Sequence, residues 1–211
     1  MSITIENLVT SGTFSLDGGT WDVENNVWIV GNEHECVIID SPHDAAAIIN
    51  QVRGRTVLAI LLTHAHNDHI GAAREVANAV NAPIHLHPED QILWEQVYPG
   101  TTPDRAITDG DAFHIGGATL TAIHTPGHSP GSTCFLLESE GTVFTGDTLF
   151  NGGPGATGRS YSDYPTILTS IRERLLTLPA ETVVRTGHGD NTTIGNEQQT
   201  LARAAEESNP D

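Results

Sequence analysis

The sequence contains no lysine: nine arginines stand against 27 acidic residues, and the formal net charge is -18. A chain of that sign repels polyanions, because nucleic-acid binders neutralise phosphates with basic stripes. Nucleic acid is therefore excluded as an expected partner. No apolar run approaches the ~20 residues of a membrane-spanning helix, so no membrane partner is expected. The opening Met1-Ser2-Ile3-Thr4-Ile5-Glu6 has neither the basic segment nor the apolar segment of a secretory leader, and a cytoplasmic location is expected. Cysteine is nearly absent. Cys36 and Cys134 both fall in predicted strands and outside any ligand motif, which predicts two buried free thiols rather than a disulfide framework.

Histidine, by contrast, is plentiful, with 11 residues, and it is clustered. The apolar run Val57 to Leu62 predicts a buried strand, and Thr63-His64-Ala65-His66-Asn67-Asp68-His69 follows it directly. Gly71 to Val80 then places Ala72, Ala73, Val76, Ala77 and Val80 on one helical face. The cluster thus reads as a strand-to-helix loop at the carboxyl end of a strand, where α/β folds expose catalytic groups. Imidazole and carboxylate are the donors that zinc and similar borderline ions favour. Three further segments carry metal-capable or acidic residues in Gly-rich turns: Thr125 to Ser132 with His128, Phe144 to Phe150 with Asp147, and Thr186 to Gly189 with His188. Those seven candidates exceed what one ion takes.

Elsewhere the pattern gives a hairpin of Val27–Val30 with Cys36–Ile39, and a helix capped by Ser41 with Pro42 in its first turn. A short strand at 83–86 precedes a helix burying Ile92, Leu93 and Val97, and residues 98–110 read as a surface loop. His85 and His87 read as structural. Residues 112–143 form a meander, 151–160 a substrate-facing loop, and Pro165 opens a helix with Ile167, Ile171, Leu175 and Leu178 inward. Thr182–Arg185 reads as the last strand, before a final helix from about 196 to 206. The length suits a single domain over 1–211.

The spacing His-x-His-x-Asp-His, with the three later segments in the same order, resembles the metallo-β-lactamase-fold hydrolases, and among them the glyoxalase II-like, thioester-cleaving branch. The resemblance implies an α/β fold, an αββα sandwich, which periodicity alone would not give. It implies two divalent metal ions, zinc first with iron or manganese as alternatives. His64, His66 and His128 would hold one ion, Asp68, His69 and His188 the other, and Asp147 would bridge them. Asp68 would also act catalytically by orienting a bridging hydroxide that attacks a small-molecule thioester. Arg159, in a Gly-Arg segment similar to one the family carries, becomes the candidate for substrate binding.

Several alternatives belong to the same resemblance. A persulfide dioxygenase would use His64, His128 and Asp147 as a facial triad on one iron. Lactone hydrolysis is another option. β-Lactam hydrolysis is disfavoured because true β-lactamases of this fold lack a carboxylate at the place of Asp147, and a non-catalytic metal-binding role is disfavoured because no ligand position is lost. Longer glyoxalase II proteins hold glutathione on a C-terminal helical segment that this sequence lacks, so another small thiol, such as mycothiol, stays open. Oligomeric state has no signature here.

Overall fold

A computed structural model describes residues 2–207, with side chains described up to Arg203. Of the expected span 1–211, positions 1 and 208–211 lie outside the described residues. The first sheet contains β1 (Thr4–Leu16), β2 (Gly19–Gly31), β3 (Glu35–Ile39), β4 (Thr56–Leu61), β5 (Ile84–Leu86) and β6 (Arg105–Ala106), side by side in that order. Its first two pairings are antiparallel and the remaining three parallel. The chain then supplies β7 (Ala112–Ile115), β8 (Ala118–His124), β9 (Thr133–Leu137) and β10 (Thr142–Gly146), followed by a small hairpin of β11 (Leu149–Phe150) and β12 (Gly153–Pro154). With β13 (Val183–Thr186) and β14 (Thr192–Thr193) the second sheet runs β14-β13-β10-β9-β8-β7, and β10 with β13 is its parallel pair.

Strand periodicity sorts the side chains into layers. Along β2, Trp28 and Val30 join Val37, Ile39 and Leu61 in a core shared with Leu120, Phe135 and Phe144 of the second sheet. Their neighbours Val27 and Ile29 face the other way, toward helices α1 (Ala45–Val52), α3 (Ala73–Val80) and α4 (Gln91–Val97). On the far side, Ile123, Val143 and Val184 pack against Ile167 and Ile171 around α5 (Tyr164–Ser170), and against Ile194 at the start of α6 (Ile194–Glu207). Helix, sheet, sheet, helix is the expected αββα sandwich. Each fully buried Ile or Leu contributes about 1.5–3 kcal/mol, so the central layer holds the two sheets, and the site between their ends, in fixed relation. Cys36 and Cys134 are buried free thiols. Among the described residues no helix is long and apolar enough to cross a membrane.

The structure corrects several local expectations. Helix α1 begins at Ala45, because the Asp44 carboxylate accepts from Ala47 N at 2.9 Å and caps it. Ser41 is set apart from the helix: its N–H donates to His69 O and its carbonyl accepts from Ala72 N, both at 2.9 Å, and His43 takes a left-handed φ of 40 before the helix starts. Helix α4 buries Leu93 and Trp94 and leaves Ile92 48% exposed. The cause is Asp90, whose side chain is anchored inward, so that 90, 93, 94 and 97 share the inner face. The 98–110 segment contributes edge strand β6, β14 follows β13, and α5 continues as a π-turn over Ile171–Leu175 with Leu178 only half-buried. Asp68 and His69 lie in a one-turn helix α2 (Asn67–Ile70) rather than in open loop.

Candidate metal centre

The parallel strands aim their carboxyl ends at one place. Strand β4 leads into His64 and His66, β10 into Asp147, and β13 into His188. The turn after β8 brings His128. There Gly127 takes φ 132 against the backbone of Ile167, a conformation and a closeness that a side chain would not permit.

All seven predicted residues converge. The rings of His64, His66 and His128 form a triangle with every centroid separation 4.8 Å and the planes nearly perpendicular. His66 Nδ1 lies 3.0 Å from His128 Nε2. Beside this triangle, His69 Nε2 and His188 Nε2 are 3.2 Å apart, and Asp68 Oδ2 is 3.3 Å from the latter. Asp147 stands between the two groups: Oδ1 is 3.3 Å from His69 Nε2, while Oδ2 is 3.5 Å from His128 Nε2 and 3.4 Å from His188 Nε2. Arg159 is outside this constellation. Its guanidinium stacks on Trp21 at 3.8 Å and reaches Phe14 at 5.8 Å, and Phe14 in turn is 5.1 Å from His66.

The outer nitrogens fix the tautomers. His128 Nδ1 donates to Ala156 O at 2.8 Å, His188 Nδ1 to Glu24 O at 2.7 Å, and His69 Nδ1 to Asp40 Oδ2 at 2.8 Å. The Thr63 hydroxyl donates to Asp40 Oδ2, which leaves its oxygen to accept from His64 Nδ1 at 3.0 Å. With Nδ1 so engaged, these four histidines would turn Nε2 as the donor atom toward a bound cation, the usual arrangement around a metal.

The donor set fits a cation on further grounds. His64 Nε2, His66 Nε2, Asp68 Oδ1 and Asp147 Oδ1 are buried without any hydrogen-bond partner among the described residues, a costly state for polar atoms in an apolar shell. Burial, reinforced by the neighbouring His69 and His66 rings, drives His64 well below its ordinary value, and burial with His128 takes His66 down to about 3. Both are neutral donors. Burial works against ionising Asp147, yet His188 and His69 hold it well below the carboxylate range. Burial likewise opposes a charge on His188, but Asp147 and Asp68 push it up to about 10. The pocket is built to receive positive charge.

The supporting residues are where sequence reading fell short. Asn25 Nδ2 donates to Asp68 Oδ2 at 3.0 Å, and its Oδ1 accepts from His43 Nε2 at 2.8 Å. Asp40 joins Thr63 to His69. Asp90 accepts from Ala65 N, Ser129 Oγ and Gly131 N. A carboxylate ending an apolar strand, as Asp40 does, was the one signal available. His85 meets Phe113 edge to face, and His87 stacks on His124 at 3.9 Å, where the two rings and Glu89 form a separate metal-capable group. Neither joins the seven-residue centre.

A sandwich of two mixed sheets with a histidine and aspartate centre at the strand ends defines a metallo-hydrolase class. The chain belongs to the metallo-beta-lactamase superfamily, whose family model matches residues 20–188. The probable metallo-hydrolase YqgX of Bacillus subtilis is 37% identical over 191 residues, covering 83% of this chain and 90% of that protein. The hydroxyacylglutathione hydrolase GloC of Haemophilus influenzae is 32% identical over 191 residues, with the same shares. Among solved structures, the B3 metallo-beta-lactamase BLEG-1 aligns with a TM-score of 0.76 at 34% identity, covering 90% of this chain and 97% of that one.

Proposed function

We propose that the chain is a thioester hydrolase of the glyoxalase II kind, working with two divalent metal ions, zinc or else iron or manganese. The observation that carries this reading is the position of Asp147, one carboxylate between two sets of histidines. His64, His66 and His128 would form one set, and Asp68, His69 and His188 the other, within one domain. Such ions supply Lewis-acid polarisation of a carbonyl and a water acidic enough to react near neutral pH.

The chain's own residues do the rest. Asp68 Oδ2 is held by Asn25, and its Oδ1 is buried and free of partners among the described residues. It can accept a proton from the attacking water and orient a lone pair toward the substrate carbonyl. A thiolate leaves as a weak base, with a pKa of roughly 8.5 for an ordinary thiol, so little protonation by the protein is required. Arg159, its guanidinium over the Trp21 ring and without a salt bridge among the described residues, suits a carboxylate on the thiol carrier. The name of GloC supports a hydroxyacyl thioester.

A second reading is β-lactam hydrolysis, favoured by the likeness to BLEG-1. A parallel assay of lactoylglutathione, other thioesters, a homoserine lactone, glutathione persulfide and a cephalosporin, with metal content measured on the same sample, separates them. Thioester turnover with close to two ions per chain supports the proposal. Turnover confined to the cephalosporin, or to the persulfide with one iron, overturns it.

A further inference from the structure

A cavity of about 280 Å³ lies between the end of β1 and helix α4, and His66 forms part of its wall. Leu16, Ala65, Leu93 and Val97 supply its apolar lining. Ser15 and Asn67 also border it, but they are occupied with each other and with the strand: Asn67 Oδ1 accepts from Ser15 N at 2.7 Å, and Asn67 Nδ2 donates to Thr13 O at 2.8 Å. These bonds tie β1 to α2 at one edge of the cavity. Gln96 is the remaining polar lining residue and is exposed. Among the described residues no Arg, Asp or Glu lines it, in a chain where one residue in six is charged.

The neighbouring groups divide the surroundings into two. Arg159 with Trp21 makes a cationic, aromatic patch that reaches Phe14, and Phe14 packs on His66. The uncharged cavity also touches His66, yet Arg159 does not line it. We propose that this cavity is the acyl subsite and takes an uncharged aliphatic acyl chain, while the thiol carrier lies toward Arg159. The assignment rests on the thioester reading. It follows from chemistry: an anionic acyl group such as succinyl would enter a space with no cation to meet it, whereas a hydrocarbon tail would replace water along Leu16, Leu93 and Val97.

Two measurements test it on the zinc-loaded protein, which is diamagnetic. In the first, acetyl and hexanoyl thioesters of one thiol are compared in wild type and Val97→Trp. The ratio of kcat/KM, hexanoyl over acetyl, should fall by about tenfold or more in the variant, since pocket methylenes carry discrimination of that order. Equal loss on both substrates overturns the assignment. In the second, methyl NMR follows wild type titrated with acetate and with hexanoate. Shifts at Leu16, Leu93 and Val97 methyls with hexanoate alone support the subsite, and unmoved methyls overturn it whatever the variant does. If no thioester is turned over while hexanoate still shifts those methyls, the hydrolase reading has failed and the cavity's preference for aliphatic chains stands on its own.

Discussion

Asp90 and Gly131 meet through a 2.6 Å hydrogen bond from the glycine N–H to the carboxylate, and a Cβ at Gly131 would collide with that same side chain. Since Asp90 also accepts from Ala65 N and Ser129 Oγ, each at 2.8 Å, one buried carboxylate ties the His64–His66 turn to the His128 turn. Asp90→Asn replaces an acceptor with a donor facing N–H groups. It should cost about 2–3 kcal/mol and weaken metal binding about tenfold or more. Urea unfolding and metal competition check this, and an unchanged midpoint with unchanged affinity would count against it.

Gly187 precedes His188 with no left-handed φ, so its role is space. A Cβ there would fall inside contact distance of Asp147 Oδ1 and close to His69 Cε1. Gly187→Ala should therefore displace Asp147 and cut metal content while the far-UV spectrum stays native. A fully metallated Gly187→Ala protein would show that the close approach has no consequence.

Asn25 positions Asp68 without itself belonging to the seven. Asn25→Ala should lower kcat by about tenfold to a hundredfold and leave KM near its wild-type value, because Asp68 loses orientation rather than the substrate losing contacts. A rise in KM at constant kcat would assign Asn25 to binding instead.

Arg159→Ala should raise KM for an anionic thioester by about fivefold, an interaction of about 1 kcal/mol at an exposed cation. A neutral thioester should be nearly unaffected. Equal effects on both would remove Arg159 from carrier recognition and leave its stacking on Trp21 as a structural contact.

Burial, followed by the adjacent His124, lowers the pKa of His87 below 6.5. Below that value the unfolded chain takes up a proton that the native state resists, so stability falls as pH drops from 6.5 toward the lowered folded pKa, and rises again with pH. His87→Gln should narrow the difference between urea midpoints at pH 7.5 and pH 5.5. A difference that stays the same would show that His87 is no more easily left neutral in the fold than in the unfolded chain.

How much was legible beforehand differs by element. The run Val57–Leu62 and the spacing of Ala72, Ala73, Val76 and Ala77 announced a strand and a helix, because burial on one side writes a period into the sequence. The His64–His69 cluster announced its chemistry, because such donors rarely gather without a cation. The start of α1 is not legible, since Ser41 and Asp44 are equally good caps by residue type and only the fold puts a left-handed His43 between them. Ile92 was misassigned because rotation of α4 is set by Asp90, a tertiary anchor with no local signature. Asn25 and Asp90 act across 43 and up to 41 positions of sequence, and nothing short of the folded chain brings them to the histidines.

The most direct test is the metal stoichiometry of Asp147→Asn against wild type, by elemental analysis of protein loaded with excess zinc and desalted. Wild type should retain close to two ions per chain, and the variant one or fewer, with thioester hydrolysis lost and the thermal transition still cooperative. Two retained ions and undiminished hydrolysis in Asp147→Asn would contradict a centre organised around that shared carboxylate.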